Sequence, residues 1–386
     1  MAARKPVSLV KGDQSLVQTW PDEPSRFVAD HVDPFLLWCV KKGTSDITIQ
    51  TDRPVYTEVH GTLYPATYRV LDSADMLIFL QKIYGLDATA RLASGHDLDV
   101  SYEIRPDRYS RVRFRVNITP ILARGRDAAQ ITMRVLPSEP PKLSDLNIEK
   151  QIVDNFSPRQ GMIVITGPTG SGKTTLLAAG MRMLLERPIG CGKMLTYEAP
   201  IEFTYDAIHS PRSLVSQTEI PRHLPDFAAG VRNALRRKPN IILVGEARDK
   251  ETISSAIEAA QTGHAVYTTT HTTGVAATIR RMVSAFDKTE RAERSYALME
   301  TLRLVVTQAL VPKVESGRIG VREWMVFPDE VREKLLDMDY EQWTNEIQRM
   351  IPFYGQTMNK SATIVFEKGL IDKRHYLLLS AGGGAH

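Results

Sequence analysis

Eight consecutive residues, Gly167-Pro168-Thr169-Gly170-Ser171-Gly172-Lys173-Thr174, have the types and spacing of a phosphate cradle. The apolar run Met162-Ile163-Val164-Ile165 precedes them, and the helix-forming run Thr175-Leu176-Leu177-Ala178-Ala179 follows. Strand, glycine loop and helix together make the setting such a P-loop requires. The glycines let successive backbone N–H groups point inward at an anion without Cβ clashes. The start of the helix adds its positive end. In that setting Lys173 reaches the β- and γ-phosphates, and the Thr174 hydroxyl ligates Mg²⁺. Residues 167–175, Thr175 included, are therefore expected to bind ATP.

Phosphoryl transfer also needs carboxylates, to hold the metal through water and to orient the attacking nucleophile. Ile241-Ile242-Leu243-Val244-Gly245-Glu246 is an apolar strand that ends in a carboxylate, the Walker B position, with Gly245-Glu246 where an aspartate is usual. A buried strand with an ordinary charged exit residue is the plainer reading. A second strand, Met194-Leu195-Thr196-Tyr197, runs into Glu198-Ala199-Pro200-Ile201-Glu202. That puts two carboxylates at a strand's C-terminal end, beside the crevice of an open α/β sheet. Glu202 is suited to polarise the attacking water, and Glu198 to hold the metal's water shell, with Thr174 and Glu246 as the other metal contacts. A solvated acidic loop is the alternative.

Two histidines flank the next apolar strand, in Thr262-Gly263-His264 and Thr270-His271-Thr272. His271, at the strand's polar end, is placed to sense a γ-phosphate; His264 suits a structural role or a subunit contact. Neither has metal-ligand spacing with cysteine or a carboxylate. The helix Phe227 to Arg237 carries Arg232, Arg236 and Arg237 near a C-terminus stopped by Pro239. Cations there complement the helix dipole; a basic surface meeting nucleotide or a neighbouring subunit is the other reading. Arg111, Arg113 and Arg115 alternate along one strand and so share a face, with Arg134 on a later strand. Such a row is either a solvated edge or a source of arginine fingers that neutralise transition-state charge.

The elements that must position these groups follow from pattern. The chain has 386 residues, 42% hydrophobic and 24% charged, enough for a large core in two or three domains. Residues 1–30 read as a flexible lead-in. A helix at Pro34 to Lys42, a hairpin at 45–61, a helix from Asp75 to Tyr84 and strands at 98–104, 112–118 and 130–135 make residues 31–136 an α+β domain with an antiparallel sheet. Pro137-Ser138-Glu139-Pro140-Pro141-Lys142 opens a stiff linker over 137–150. From 151 to 386, apolar strands at 162–166, 194–196, 241–244 and 265–268 alternate with helices, which implies a mainly parallel sheet. Arg291 to Leu310 reads as one helix, Val321 to Phe327 as a short strand, and the part from about 285 as mainly helical, ending in a flexible Ala381-Gly382-Gly383-Gly384.

The net charge of +4, from 49 Lys plus Arg against 45 Asp plus Glu, is too small to argue for nucleic acid. The two cysteines, Cys39 and Cys191, fit no redox or metal spacing. The first fourteen residues hold no apolar signal core, and no apolar run approaches the roughly 18 residues of a membrane span. A cytoplasmic location is expected, with docking on a membrane complex allowed.

Four boxes in order resemble those of the secretion ATPases of the PilT/type IV secretion superfamily. They are the P-loop, the acidic box Thr196 to Phe203, the Walker B box Leu243 to Asp249 and the histidine box Thr262 to Thr272. Ser45-Asp46-Ile47-Thr48-Ile49, Arg113-Phe114-Arg115-Val116-Asn117 and Arg134 within Met133 to Pro137 also fit, so the likeness spans roughly residues 30–370. The phrases Glu219 to Pro225 and Asn233 to Pro239 resemble a narrower group, the DotB ATPases of Dot/Icm-type (type IVB) secretion and their conjugative-plasmid relatives, often called TraJ.

The resemblance implies an α/β fold, with a PAS-like α+β N-terminal domain followed by a RecA-like P-loop ATPase domain and a helical C-terminal extension. It implies a hexameric ring of identical subunits, with nucleotide held between the two domains and Arg113, Arg115 and Arg134 completing the site. Glu202 would be the catalytic glutamate, Glu246 the Walker B carboxylate, and His271 would face the γ-phosphate. ATP and Mg²⁺ are the implied cofactors. The implied partner is the cytoplasmic face of an inner-membrane secretion or conjugation complex, whose ring would drive type IVB secretion or conjugative transfer.

Pilus-retraction members carry Asp where Ala199 stands, and their C-terminal motif is only loosely echoed by Val331 to Leu336, so retraction is the second expectation. A ring DNA helicase or translocase shares this core. It needs pore-facing basic and aromatic residues, and with aromatics at 7% and no aromatic-interleaved basic run, no direct nucleic-acid binding is expected.

Overall fold

The computed structural model of the chain describes residues 19–59, 61–108, 110–137, 139–315 and 317–380. Residues 1–18 of the expected lead-in over 1–30, and the tail at 381–384, lie outside the described residues. The chain divides into two compact units at residues 138 and 139, inside the proline-rich stretch.

In the first unit, α1 (Ala29–Lys41) leads into β1 (Asp46–Gln50), β2 (Tyr56–Val59) and β3 (Thr62–Pro65). Then come α2 (Ser73–Ile83), α3 (Ala88–Ala93), β4 (Leu98–Ile104), β5 (Val112–Ala123) and β6 (Arg126–Leu136). The strands form one antiparallel sheet in the order β3-β2-β1-β6-β5-β4. Alternation puts Ile47, Ile49, Phe114, Val116, Ile131 and Met133 into a single core with Phe35 and Phe79 of the helices.

From Thr19 the chain is packed: Trp20 and Phe27 are buried in that core, and Trp20 N donates to Ala66 O at 2.8 Å. Helix α1 begins at Ala29 rather than Pro34, with Pro34 inside it. The ring removes one helical donor, and burial of Val32, Phe35, Leu36 and Cys39 holds the turn in place. Asp72 starts α2 by accepting from Ala74 N and Asp75 N, both at 2.8 Å.

The second unit runs α4 (Lys150–Asp154), β7 (Gly161–Thr166), α5 (Lys173–Leu185), β8 (Gly192–Glu198), β9 (Ser213–Glu219), α6 (Phe227–Leu235) and β10 (Ile241–Val244). It continues through α7 (Lys250–Gln261), β11 (Ala265–Thr269), α8 (Val275–Ser284), α9 (Arg291–Thr301), β12 (Leu302–Pro312) and β13 (Arg318–Val326). It closes with α10 (Asp329–Leu336), α11 (Trp343–Tyr354), β14 (Gly355–Gln356), α12 (Met358–Glu367) and α13 (Lys373–Ser380).

Its sheet has the order β14-β13-β12-β7-β11-β10-β8-β9. Strands β12 through β9 are mutually parallel, and β13 and β14 add an antiparallel edge. A parallel sheet covered on both faces needs strands that are apolar throughout. Strand β7 meets this: Met162 and Val164 join Ile253 and Ile257 of α7 on one face, while Ile163 and Ile165 join Leu176 and Leu177 of α5 on the other. The C-terminal ends of β7, β8, β10 and β11 thereby share one edge, where ligands bind in open α/β sheets.

Two expectations are corrected here. The single helix over Arg291 to Leu310 breaks at Thr301, and Leu302–Pro312 is strand β12, paired with β7 and β13. Its apolar residues have helical spacing by coincidence. The strand is buried on both faces and so shows no alternation, and its β-branched Val305-Val306-Thr307 favour an extended chain. The region after 285 therefore holds three strands of the sheet as well as helices. The linker does not run free to residue 150 either. Leu143 is buried in the second unit's core, and Pro140 O accepts from Arg182 Nη1 at 2.6 Å.

Candidate nucleotide site

Strand β7 ends at Thr166, the loop runs from Gly167 to Gly172, and α5 starts at Lys173. Two of the loop glycines are required by geometry. Gly167 has φ +140°, and a Cβ there would sit 2.2 Å from the backbone oxygen of Gln308. Gly172 has φ +79°, and its Cβ would meet Gln308 Nε2 at 3.0 Å. The loop therefore lies directly on β12.

Lys173 is buried, and its ammonium donates to Gly167 O at 2.8 Å and Pro168 O at 3.0 Å. It also lies 3.4 Å from His271 Nδ1. On the other side of the imidazole, His271 Nε2 is 3.5 Å from Glu246 Oε1. Burial holds the Lys173 ammonium below the usual lysine range, and the charges of Glu246 and Glu202 offset part of that shift. Lys173, His271 and Glu246 thus meet from three separate segments, and the charge of Glu202, from a fourth, acts on Lys173. Beside them is a cavity of about 490 Å³, lined by Pro168, Thr169, Glu246, Arg248, His271 and Arg281 among others.

A chain of hydroxyls fixes His271. Thr270 Oγ1 donates to Thr166 Oγ1 at 2.8 Å, and Thr272 N donates to Thr166 Oγ1 at 3.0 Å. Thr166 Oγ1 lies 2.7 Å from Thr272 O, and Thr272 Oγ1 lies 2.7 Å from Thr278 Oγ1 of α8. The turn after β11 is thereby tied to the end of β7. Glu246 is fixed through its backbone neighbours: Gly245 N donates to Tyr197 O at 2.7 Å, and Thr269 Oγ1 donates to Gly245 O at 2.6 Å. Asp249 of the same box serves as the N-cap of α7, accepting from Thr252 N at 2.8 Å.

Other candidate residues are placed differently. Glu198 is buried, and its Oε1 accepts from Thr196 Oγ1 at 2.6 Å and Gln217 Nε2 at 3.2 Å. His264 Nδ1 lies 2.9 Å from Ala259 O, at the opposite end of β11 from His271. Arg237 is turned to β9, donating to Ser216 Oγ at 2.8 Å, while Arg232 and Arg236 are exposed. In the first unit Arg113 is buried 3.7 Å from Glu103, and Arg134 pairs with Asp46 at 2.9 Å. Arg115 stands opposite Arg134 in the β5–β6 register.

Sequence reasoning missed Gln308, Arg322 and Glu149, which meet behind the loop. Gln308 Nε2 donates to Ser171 O at 2.6 Å, and Arg322 Nε donates to Gln308 Oε1 at 2.7 Å. Arg322 Nη1 donates to Glu149 Oε2 at 3.2 Å. Arg322 lies in the stretch read as a short strand, and its role depends on partners distant in the chain.

This fold and this loop define a P-loop α/β protein, and comparison with known proteins gives its family. Residues 22–323 match the family described as Type II/IV secretion system protein, and the chain belongs to that family. The crystal structure of the ATPase DotB from Legionella pneumophila is 49% identical, covers 95% of this chain and 100% of its own, and superposes with a TM-score of 0.90. The DotB structure from Yersinia pseudotuberculosis is 32% identical, covers 98% of this chain and 100% of its own, with a TM-score of 0.80. The type IV pilus retraction ATPase PilT of Pseudomonas aeruginosa is 31% identical over 344 residues, which is 89% of this chain and 96% of that protein. Among the described residues no helix is long and apolar enough to cross a membrane.

Proposed function

We propose that the chain is an ATP-hydrolysing motor subunit of a Dot/Icm-type (type IVB) secretion or conjugative-transfer complex, working as a hexameric ring on the cytoplasmic face of that complex. The observation that carries the hydrolytic part is the meeting of Lys173, His271 and Glu246 at the loop. The likeness to DotB, over nearly the whole of both chains, supports the secretion part.

In this reading the loop amides and Lys173 hold the β- and γ-phosphates, and Lys173 exchanges the Gly167 and Pro168 carbonyls for phosphate oxygens. Glu202 polarises the attacking water, and His271 reports the γ-phosphate to the rest of the sheet edge. The oxygen donors fit Mg²⁺: the Thr174 hydroxyl and the Glu246 carboxylate are hard ligands that leave room for waters and phosphate oxygens. Among the described residues no group of three His, Cys, Asp or Glu side chains could hold a metal. Bound there with the nucleotide, Mg²⁺ would supply positive charge to the phosphates. Of Arg113, Arg115 and Arg134, which complete the site in this reading, the exposed Arg134 is the one suited to reach a neighbouring subunit's nucleotide.

Membrane proteins captured by an ATP-loaded Glu202→Gln protein test the secretion part. Recovery of secretion or conjugation components supports it. Recovery of pilus platform proteins instead moves the assignment to pilus retraction, the second reading, which the match to PilT across 96% of that protein favours.

A further inference from the structure

Behind the P-loop lies a buried polar chain that reaches the loop at Ser171. Its first member is Gln308, in the middle of β12, whose Nε2 donates to Ser171 O at 2.6 Å. Its second is Arg322 on β13, 3% exposed, which donates from Nε to Gln308 Oε1 at 2.7 Å. Arg322 is itself held by Glu149 Oε2, Asn147 O and Leu146 O, each at 3.2 Å. Gln356 Nε2 donates to the other oxygen of Glu149 at 3.2 Å.

A side-chain amide can turn over and exchange its donor for its acceptor. A guanidinium only donates, so Arg322 forces Oε1 of Gln308 to face it and leaves Nε2 to face the loop. The loop carbonyl receives a donor because an arginine stands on the far side of the amide. Without that constraint the amide is free to present its oxygen to Ser171 O, and two acceptors would then oppose each other. The close approach of Gly167 and Gly172 to the same residue shows that the loop's path is set against Gln308.

We propose that Gln308 is a positioning residue for the P-loop, and that Arg322, anchored on Glu149, sets the orientation of its amide; this deepens the nucleotide-site reading and rests on it. The loop's readiness for phosphate is then built into the sheet before nucleotide arrives.

The test uses the full chain with Gln308→Glu, Arg322→Met and Arg322→Lys. It reads amide hydrogen exchange across residues 167–176 without nucleotide, ATP affinity by calorimetry, and KM against kcat. Gln308→Glu keeps an acceptor for Arg322 but turns an acceptor on Ser171 O. It should speed loop exchange and raise Kd and KM by about tenfold, with kcat moved much less. Arg322→Met should do the same, and Arg322→Lys, which still donates to Oε1, should restore most of the affinity. Wild-type loop exchange in a folded Gln308→Glu protein overturns the proposal. So does an Arg322→Lys protein as impaired as Arg322→Met. If Arg322→Met does not fold, the Gln308→Glu exchange result decides. Failure of the unaltered protein to bind ATP would sink the nucleotide reading instead, while exchange in the nucleotide-free protein still judges Gln308.

Discussion

Lys173 and His271 face each other at 3.4 Å across the mouth of the P-loop, and the far nitrogen of the same imidazole lies 3.5 Å from Glu246. An ammonium only donates and a carboxylate only accepts. A hydrogen bond from Lys173 would use Nδ1 of His271 as its acceptor and leave Nε2 towards Glu246, so that this ring links the loop to the end of β10. If His271 orients charge in the transition state, His271→Ala should leave ATP affinity within about threefold of wild type but lower turnover by on the order of a hundredfold. Calorimetric binding and phosphate release measured on one preparation check this. Equal losses in both would mean that His271 simply helps to hold the nucleotide.

Burial lowers the pKa of the Lys173 ammonium, and that fixes the sign of a pH dependence. Bound phosphates favour the charged form, so the lysine's pKa is higher in the complex than in the free protein. Affinity is fully present below the free-protein value. It falls by up to about tenfold per pH unit as the pH rises through that value towards the value in the complex. The decline should begin at a lower pH than an exposed lysine would give. Lys173→Ala should bind ATP about a hundredfold more weakly, through loss of charge-assisted contacts, and should lack this decline. Titration of wild type and variant across the alkaline range reads both effects.

The two carboxylates of the acidic box should part company in experiment. Glu198 is buried and accepts from Thr196 and Gln217, whereas the charge of Glu202 acts on Lys173. Glu198→Ala leaves two donors without that acceptor and should cost about 2 kcal/mol of stability, visible as a lower melting temperature. Glu202→Gln should melt like wild type, bind ATP and release no phosphate. If Glu198→Gln were the folded, inactive variant and Glu202→Gln the active one, the roles would be reversed.

What was legible in the sequence follows from how local each cause is. Gly167 announces the loop because no side chain fits beneath Gln308, a constraint written into one residue type. Strands β7 and β10 were visible because burial on both faces makes a strand apolar throughout. The same uniformity hid β12, whose leucines and valines match a helical stripe equally well. Strand β9, half-buried and mostly polar with Ser213, Ser216, Gln217, Thr218 and Glu219, carries no strong pattern and was missed. Gln308 and Arg322 act through partners 137 and 173 residues away, so nothing nearby in the chain reveals them. Trp20 and Phe27 were passed over because prolines and charges around them suggested a loose segment, yet both are buried.

Arg115 and Arg134 stand directly opposite each other on β5 and β6, an arrangement that repels. Asp46 stands opposite Arg134 on β1 and 2.9 Å from it, and the Arg134 side chain is 67% exposed. An ion pair with an arginine this exposed contributes about 0.5 kcal/mol or less, so truncating Arg134 should cost little stability. Arg113, buried near Glu103, is less available to a ligand than Arg134. If Arg134 serves a neighbouring subunit, Arg134→Ala should melt like wild type yet hydrolyse ATP on the order of a thousandfold more slowly. Mixing it with Lys173→Ala subunits should restore part of the activity, because some interfaces then join an intact loop to an intact arginine. Activity plotted against mixing ratio should pass through a maximum. A flat line at the level of the separate variants would mean that the arginine does not act across a subunit boundary.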